Sequence, residues 1–474
     1  MKTRILVHLL AIFLVGTLSL GGQNDLDSTQ SMTYEQYIDY VKQFHPLVKQ
    51  ADLKLLEGAS EVLKARGGFD PKLEIDINEK QFKNTEYFDQ LNATLKIPTW
   101  YGIEFKANFE ENTGAFLNPE LTVPDGGLYS AGVSLSLAQD LLINDRMATL
   151  KKAKFLRSQT QAERQLLINE ILFDASEAYF NWLKASVERQ IYLDFLDNAQ
   201  IRFDAVKRSV VSGDKAAIDS VEAKITLNNR LLNLEMANLK QRKAALKASN
   251  FLWVDDLPLE LREDVEPVVP ENELVRNTLL VDPSIANEQL LEEHPKLLAL
   301  DNKIGGLRVD RNLKRNKLLP RVDLEYNFLS EFGDQINTFN TQNYKAMVNF
   351  SVPLFLRKER GDLKLSNIKL QDANYDRLSV QLDLRNKVDA AMFEMESLES
   401  QLGTMTIIVS DYERLVRAED RKFTLGESSL FLINTREQKL IDARLKENKI
   451  RTEQFMATAQ LFRVSGRLPL GLNN

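Results

Sequence analysis

The sequence predicts a mixed α and β membrane protein in which blocks of barrel strands alternate with very long coiled-coil helices, the plan being laid down twice in one chain. Three observations lead there. Segments that alternate apolar and polar residues follow a leader of export type, and no later apolar run is long enough, at about 18 residues, to cross a bilayer as a helix. Stretches of more than 40 residues contain neither proline nor glycine. Landmarks in the first half recur in the same order in the second.

The chain opens with MKTRILVHLLAIFLVGTLSLGGQ, in which Lys2 and Arg4 form a basic end, 5–20 an apolar stretch, and Gly21 and Gly22 the small residues expected before cleavage. Residues 1–22 are therefore expected to be a removable export signal. Of 474 residues 27% are charged and the formal net charge is -7, so nothing favours nucleic acid. There is no cysteine, which excludes disulfides, a lipid-modified cysteine and thiolate metal sites.

Two of the three histidines, His45 and His294, each precede a proline. An offset of 249 lays the second His-Pro on the first, and the same offset carries Pro71 of GFDPKLEIDIN onto Pro320 of KLLPRVDLEYN. Behind those prolines Leu73, Ile75 and Ile77 fall on Val322, Leu324 and Tyr326. A second offset, 213, places LSLAQDLL (135–142) on VNFSVPLF (348–355), Arg208 on Arg421 and Gly213 on Gly426. An internal duplication explains four landmarks in constant order, with 36 extra residues (249 − 213) in the first copy. The histidines then read as helix starts, with Pro46 and Pro295 in the first turn where a missing N–H costs little.

Along the first copy the spacing predicts an upper helix over 46–66, strands over 71–140, and long helices over 141–208 and 214–257. The 141–208 segment would be roughly 100 Å long as a helix. In the next, Ile218, Ile225, Leu232, Leu239 and Leu246 are spaced seven apart, a coiled-coil seam. The second copy (290–474) follows with an upper helix over 295–317, strands over 320–355 and long helices over 362–425 and 427–465. Between the copies (the first being 23–257), residues 258–289 are acidic and proline-rich and read as an irregular linker. Strand segments such as KLEIDINEKQF and YSAGVSLSL alternate throughout. A soluble sheet with one wet face would alternate too. Export, strands of about ten residues with aromatics near their ends, and the lack of a spanning helix favour a membrane barrel.

The signal, the openings HPLVKQ and HPKLLA, the strand-starting Pro71 and Pro320, VPLF at 352–355, and the two R-x4-G turns together resemble the TolC-type outer-membrane efflux proteins. The resemblance covers nearly the whole mature chain. It implies a homotrimer whose chains share one barrel in outer-membrane lipid and one α-helical barrel across the periplasm, with 258–289 in an equatorial belt. It also implies a passive exit duct working with a periplasmic adaptor protein and an energised inner-membrane pump of the RND type. A duct for type I protein secretion differs only in its partners. A trimeric coiled-coil surface or structural protein is the alternative of another class, but would not account for the strand blocks.

In that family the constriction at the helical tip carries acids six and nine positions after the turn glycine of the second copy. Here those positions are Leu432 and Thr435, and acids stand at the same spacing in the first copy, as Asp219 and Glu222. These two are the candidate gate residues, the alternative for them being a solvated helix face. Arg208 with Gly213 and Arg421 with Gly426 mark the turns that the resemblance would dock onto the adaptor. The glycines also have a purely local reason to end a helix. The excess in the first copy contains LNATLKIPTWYGIEFKANFE, a hairpin turning at 98–102 that either enters the barrel, making eighteen strands rather than the family's twelve, or folds outside it. No HExxH, nucleophile elbow or glycine-rich phosphate loop is present, so neither an enzyme nor a cofactor or metal is expected.

Overall fold

The computed structural model describes residues 30–281 and 291–468. The expected signal at 1–22 and the end of the expected linker, 282–289, lie outside them. In chain order the elements are β1 (Gln30–Met32), α1 (Tyr34–Phe44), α2 (Pro46–Arg66), β2 (Lys72–Phe82), β3 (Thr85–Pro98), β4 (Ile103–Thr113), β5 (Leu128–Ala138), α3 (Asp145–Val211), α4 (Ala217–Ser249), β6 (Trp253–Val254), β7 (Leu257–Pro258), β8 (Val265–Pro267), α5 (Asn272–Leu279), α6 (Pro295–Asn316), β9 (Arg321–Ser330), β10 (Tyr344–Ser351), α7 (Arg357–Thr424) and α8 (Leu430–Ser465).

Helix ends follow local chemistry more closely than the absence of proline and glycine does. The helix expected over 141–208 begins at Asp145, because the Asn144 carboxamide accepts the Met147 N–H at 2.8 Å. It runs on to Val211 before Gly213, at φ +83°, reverses the chain. The helix expected over 214–257 is shorter, Ala217–Ser249, since β6 and β7 close a hairpin through Asp255 and Asp256, both at positive φ. That expected over 362–425 starts earlier, at Arg357, and carries Gly361 within its first turns. His45 and His294 are the N-cap residues of α2 and α6: their Nδ1 atoms accept the Leu47 and Lys296 N–H groups at 3.2 and 3.1 Å, with Pro46 and Pro295 beginning each helix.

The four strands of the first half and the two of the second form one six-stranded antiparallel sheet in the order β10-β9-β5-β4-β3-β2. Register gathers most apolar residues on one face, with Phe88, Leu128, Leu329 and Met347 on the other. Leu73 pairs Leu95, Ile97 pairs Phe105, Phe109 pairs Tyr129, Leu135 pairs Leu324, and Val322 pairs Phe350. The other face carries Glu74, Lys96, Lys106, Glu110, Asp323 and Glu325. The apolar face is bare, with Ile77 69%, Val348 72% and Phe350 64% exposed.

Beneath the sheet the helices stand side by side in rows of four. Near the sheet the order is α2-α3-α6-α7, and farther down it is α4-α3-α8-α7, with α3 and α7 running through both. Close approach is built in: a Cβ on Gly58 of α2 would lie 2.4 Å from the Thr160 hydroxyl of α3. At mid-height the largest core gathers Tyr34 and Tyr37 of α1, Tyr179 and Trp182 of α3, Leu279 of α5 and Phe462 of α8. The Tyr179 hydroxyl lies 3.0 and 2.8 Å from the carbonyl oxygens of Met32 and Val268, tying α3 to the parallel pair β1–β8. The stretch expected to be an irregular linker therefore holds β8 and α5, both packed on the middle of the long helices.

Candidate functional site

The two helical turns lie at the end of the wall farthest from the sheet and have one geometry. In the first, the Arg208 carbonyl accepts the Ser212 N–H at 3.0 Å and the Ser209 carbonyl accepts the Asp214 N–H at 2.8 Å. In the second, Arg421 accepts from Leu425 at 3.1 Å and Lys422 from Glu427 at 2.8 Å. Gly213 and Gly426 sit at φ +83° and +79°, and nothing lies within 4 Å of where a Cβ would stand. Backbone conformation alone, not crowding, demands glycine there. Arg208 and Arg421 are exposed, each in the last turn of its helix, where a cation complements the helix dipole.

The two turns are packed together. Val206 of α3, Ala223 of α4, and Leu430 and Ile433 of α8 form a small buried cluster, and the Lys215 ammonium stands 4.7 Å from the centre of the Phe423 ring. Asp219 lies in the first turn of α4 and Glu222 one turn on; both are half-buried. Their helix face is the one that meets α8, since Thr226 receives a hydrogen bond from Asn434 at 3.2 Å and Arg230 donates one to Gln438 at 2.7 Å. Leu432, at the second-copy position, is 41% exposed.

A charged cluster above the turns escaped the sequence reading. Arg202 of α3 donates to both carboxylate oxygens of Glu437 on α8, at 2.9 and 2.7 Å, and the Glu437 side chain is only 3% exposed. Burial pulls the Arg230 guanidinium below its ordinary pKa, and the Glu437 charge opposes this from a distance. Arg202 and Glu437 are 235 residues apart, and no spacing rule relates them.

At the other end of the wall, the β3–β4 turn is seated on the helices. The Trp100 ring stacks on Phe69 at 5.5 Å and packs against a cluster formed by Val62 and Ala65 of α2 with Leu150 and Ala153 of α3. The Asn144 carboxamide, which caps α3, also donates to the Trp100 carbonyl at 3.2 Å. Among the described residues no helix is long and apolar enough to cross a membrane, and no cluster of His, Asp and Glu could hold a metal ion.

A bare-faced amphipathic sheet continued by rows of helices about 100 Å long defines the TolC-like class of outer-membrane protein. Residues 104–249 and 286–467 match the family described as outer membrane efflux protein, and the chain belongs to that family. Its place is the cell outer membrane, with the helices extending into the periplasm. It is 23% identical to outer membrane protein OprJ of Pseudomonas aeruginosa over 257 residues, which span 52% of this chain and 50% of that relative, so about half the length of the curated relative is matched. The fold is shared with a membrane protein from Pseudomonas aeruginosa (TM-score 0.67, 13% identity, 93% of each chain covered). It is also shared with the Campylobacter jejuni CmeC outer membrane channel (TM-score 0.65, 14% identity, 91% of this chain and 85% of that one).

Proposed function

We propose that three copies of this chain form the outer-membrane exit duct of a tripartite efflux system. The duct would conduct substrates passively from an inner-membrane pump of the RND type, through a periplasmic adaptor, to the cell exterior. The observation that carries this reading is that both flanks of the molecule carry exposed apolar stripes at coiled-coil spacing. On one flank the seam predicted over α4 is exposed rather than closed on α3: Ile218, Ile225, Leu232, Leu239 and Leu246 are 68, 56, 54, 58 and 42% exposed. Above it, Leu56 and Leu63 of α2 are equally bare. On the opposite flank α7 presents Ile368, Tyr375 and Leu382, again seven apart, at 53, 62 and 60%. Heptad stripes of this kind are covered by another helix in a stable coiled coil, and a head-to-tail ring covers both flanks at once. The equivalent geometry of the two turns supports the internal duplication.

In such a ring Arg208 and Arg421 would meet the adaptor, and Asp219 and Glu222 would line the constriction. Purification from outer membranes should yield an SDS-resistant trimer, and photo-crosslinkers placed at 208 and 421 should capture a periplasmic adaptor. A soluble periplasmic monomer would overturn the reading.

A further inference from the structure

We infer that the barrel built by this chain has eighteen strands, because the β3–β4 hairpin is spliced into the barrel wall and there matches the width of the sheet to the row of helices below. The inference rests on the trimeric duct proposed above.

Four strands run directly into helices of the upper row: β2 follows α2, β5 leads to α3, β9 follows α6, and β10 leads to α7. Their order in the sheet is the order of those helices in the row. The β3–β4 hairpin has no helix of its own and lies between β5 and β2, above the α2–α3 contact. It is part of the wall by three criteria. It pairs on both sides, β3 with β2 and β4 with β5. Its apolar residues continue the bare face, Leu95 at 37%, Ile97 at 40% and Phe105 at 49% exposed. Its turn is anchored on the helices through Trp100 and Asn144.

Widths agree with this placement. Four helices at 8–10 Å between axes make a row about 32–40 Å wide. Six strands about 4.8 Å apart and tilted by about 40° span about 38 Å of a barrel's circumference, whereas four would span about 25 Å. The sheet also curves toward its polar face. Lys345 of β10 is in register with Lys106 on β4, three strands away, yet reaches within 3.9 Å of Glu110, four residues farther along β4, where a flat sheet would hold the two Cα atoms about 20 Å apart. A polar concave face is the inside of a channel.

Closure falls to a second copy of the chain. The edge strands β2 and β10 are exposed along their whole length and run in opposite directions, away from and toward the helices. They lie on the same two flanks as the unpartnered α2 and α7 stripes. A neighbour that covers α2 with its α7 brings its β10 antiparallel to β2, with Ile75 and Val348 both on the apolar face. An even number of strands per chain keeps the ring antiparallel throughout.

Cryo-electron microscopy of the protein in lipid nanodiscs counts the strands. A trimer with eighteen strands, residues 85–113 among them, is expected. A trimer with twelve and the 85–113 segment outside the wall would overturn this inference and leave the duct intact; a monomer would overturn both. Because the chain has no cysteine, disulfide trapping gives a second test. Ile75→Cys combined in turn with Ala346→Cys, Val348→Cys or Phe350→Cys should yield a reducible covalent trimer for at least one pair. An SDS-resistant trimer in which none of the three links would count against the β2–β10 seam.

Discussion

Arg202 on α3 and Glu437 on α8 form a two-bonded ion pair, 2.9 and 2.7 Å, almost wholly removed from water just above the helical turns. It locks the α3–α4 hairpin to the α7–α8 hairpin at the level where the duct would open. Removing one partner strands a buried charge, which costs about 3–5 kcal/mol, whereas replacing both by apolar residues is close to neutral. Glu437→Ala should therefore lower the melting temperature and raise the single-channel conductance in planar bilayers. Arg202→Met with Glu437→Leu should restore the melting temperature. Wild-type conductance in the single variant would show that the pair does not restrain opening.

Asp219 and Glu222 would place six carboxylates near the axis of a trimer, two from each chain. The double variant Asp219→Ala, Glu222→Ala should lose cation over anion selectivity, read from reversal potentials in a salt gradient, and should lose sensitivity to divalent cations. Unchanged conductance and selectivity would make these acids a solvated helix face.

The turn glycines and the turn arginines should separate structure from docking. Gly213→Ala and Gly426→Ala each force a Cβ into left-handed backbone, at about 1–2 kcal/mol, and the two costs should be alike because neither site is crowded. Arg208→Ala and Arg421→Ala should leave the melting temperature unchanged while weakening adaptor capture severalfold in a pull-down. Loss of stability without loss of capture would make the arginines dipole partners only.

His294 links the upper helix to pH. Its Nδ1 must stay unprotonated to cap α6, its Nε2 faces the Val464 carbonyl at 3.1 Å, and burial pushes its pKa down to about 4. The unfolded side chain titrates near 6.5, so between pH 6.5 and 4 the unfolded state binds the proton and the fold does not. Stability is complete above 6.5 and falls as pH drops through that window, by roughly 1 kcal/mol at pH 5.5 from this group. His294→Asn keeps an N-cap acceptor without a titrating group. Its melting temperature should change less between pH 7.5 and 5.5 than that of wild type. An equal change would assign the pH dependence elsewhere.

Much of the fold is legible because its signals are local. Seven-residue spacing names long helices, two-residue alternation names strands, and His-Pro names helix starts through a cap and a first-turn proline. The misjudged ends have local causes of another kind: Asn144 as a cap, and an Asp255–Asp256 turn that contains no glycine. The α4 seam illustrates a deeper limit. Its spacing reveals a coiled-coil face, yet α4 buries other residues, among them Ala223, Leu234 and Ala237, and turns the heptad isoleucines and leucines outward. Periodicity marks a face that seeks a partner without saying which partner it finds.

From the residues alone one reads the alternation of strand blocks with long helices, the order of the landmarks and the two turns, because each depends on neighbours a few positions apart or on direct repetition. Three features needed the folded chain: the β3–β4 hairpin lying between β5 and β2, the burial of Glu437 against Arg202, and exposed apolar stripes on two flanks. Each depends on which distant segments come to lie side by side. A backbone's hydrogen-bonding edge or a buried charge meets its partner wherever the packing brings it, and sequence separation carries no record of that.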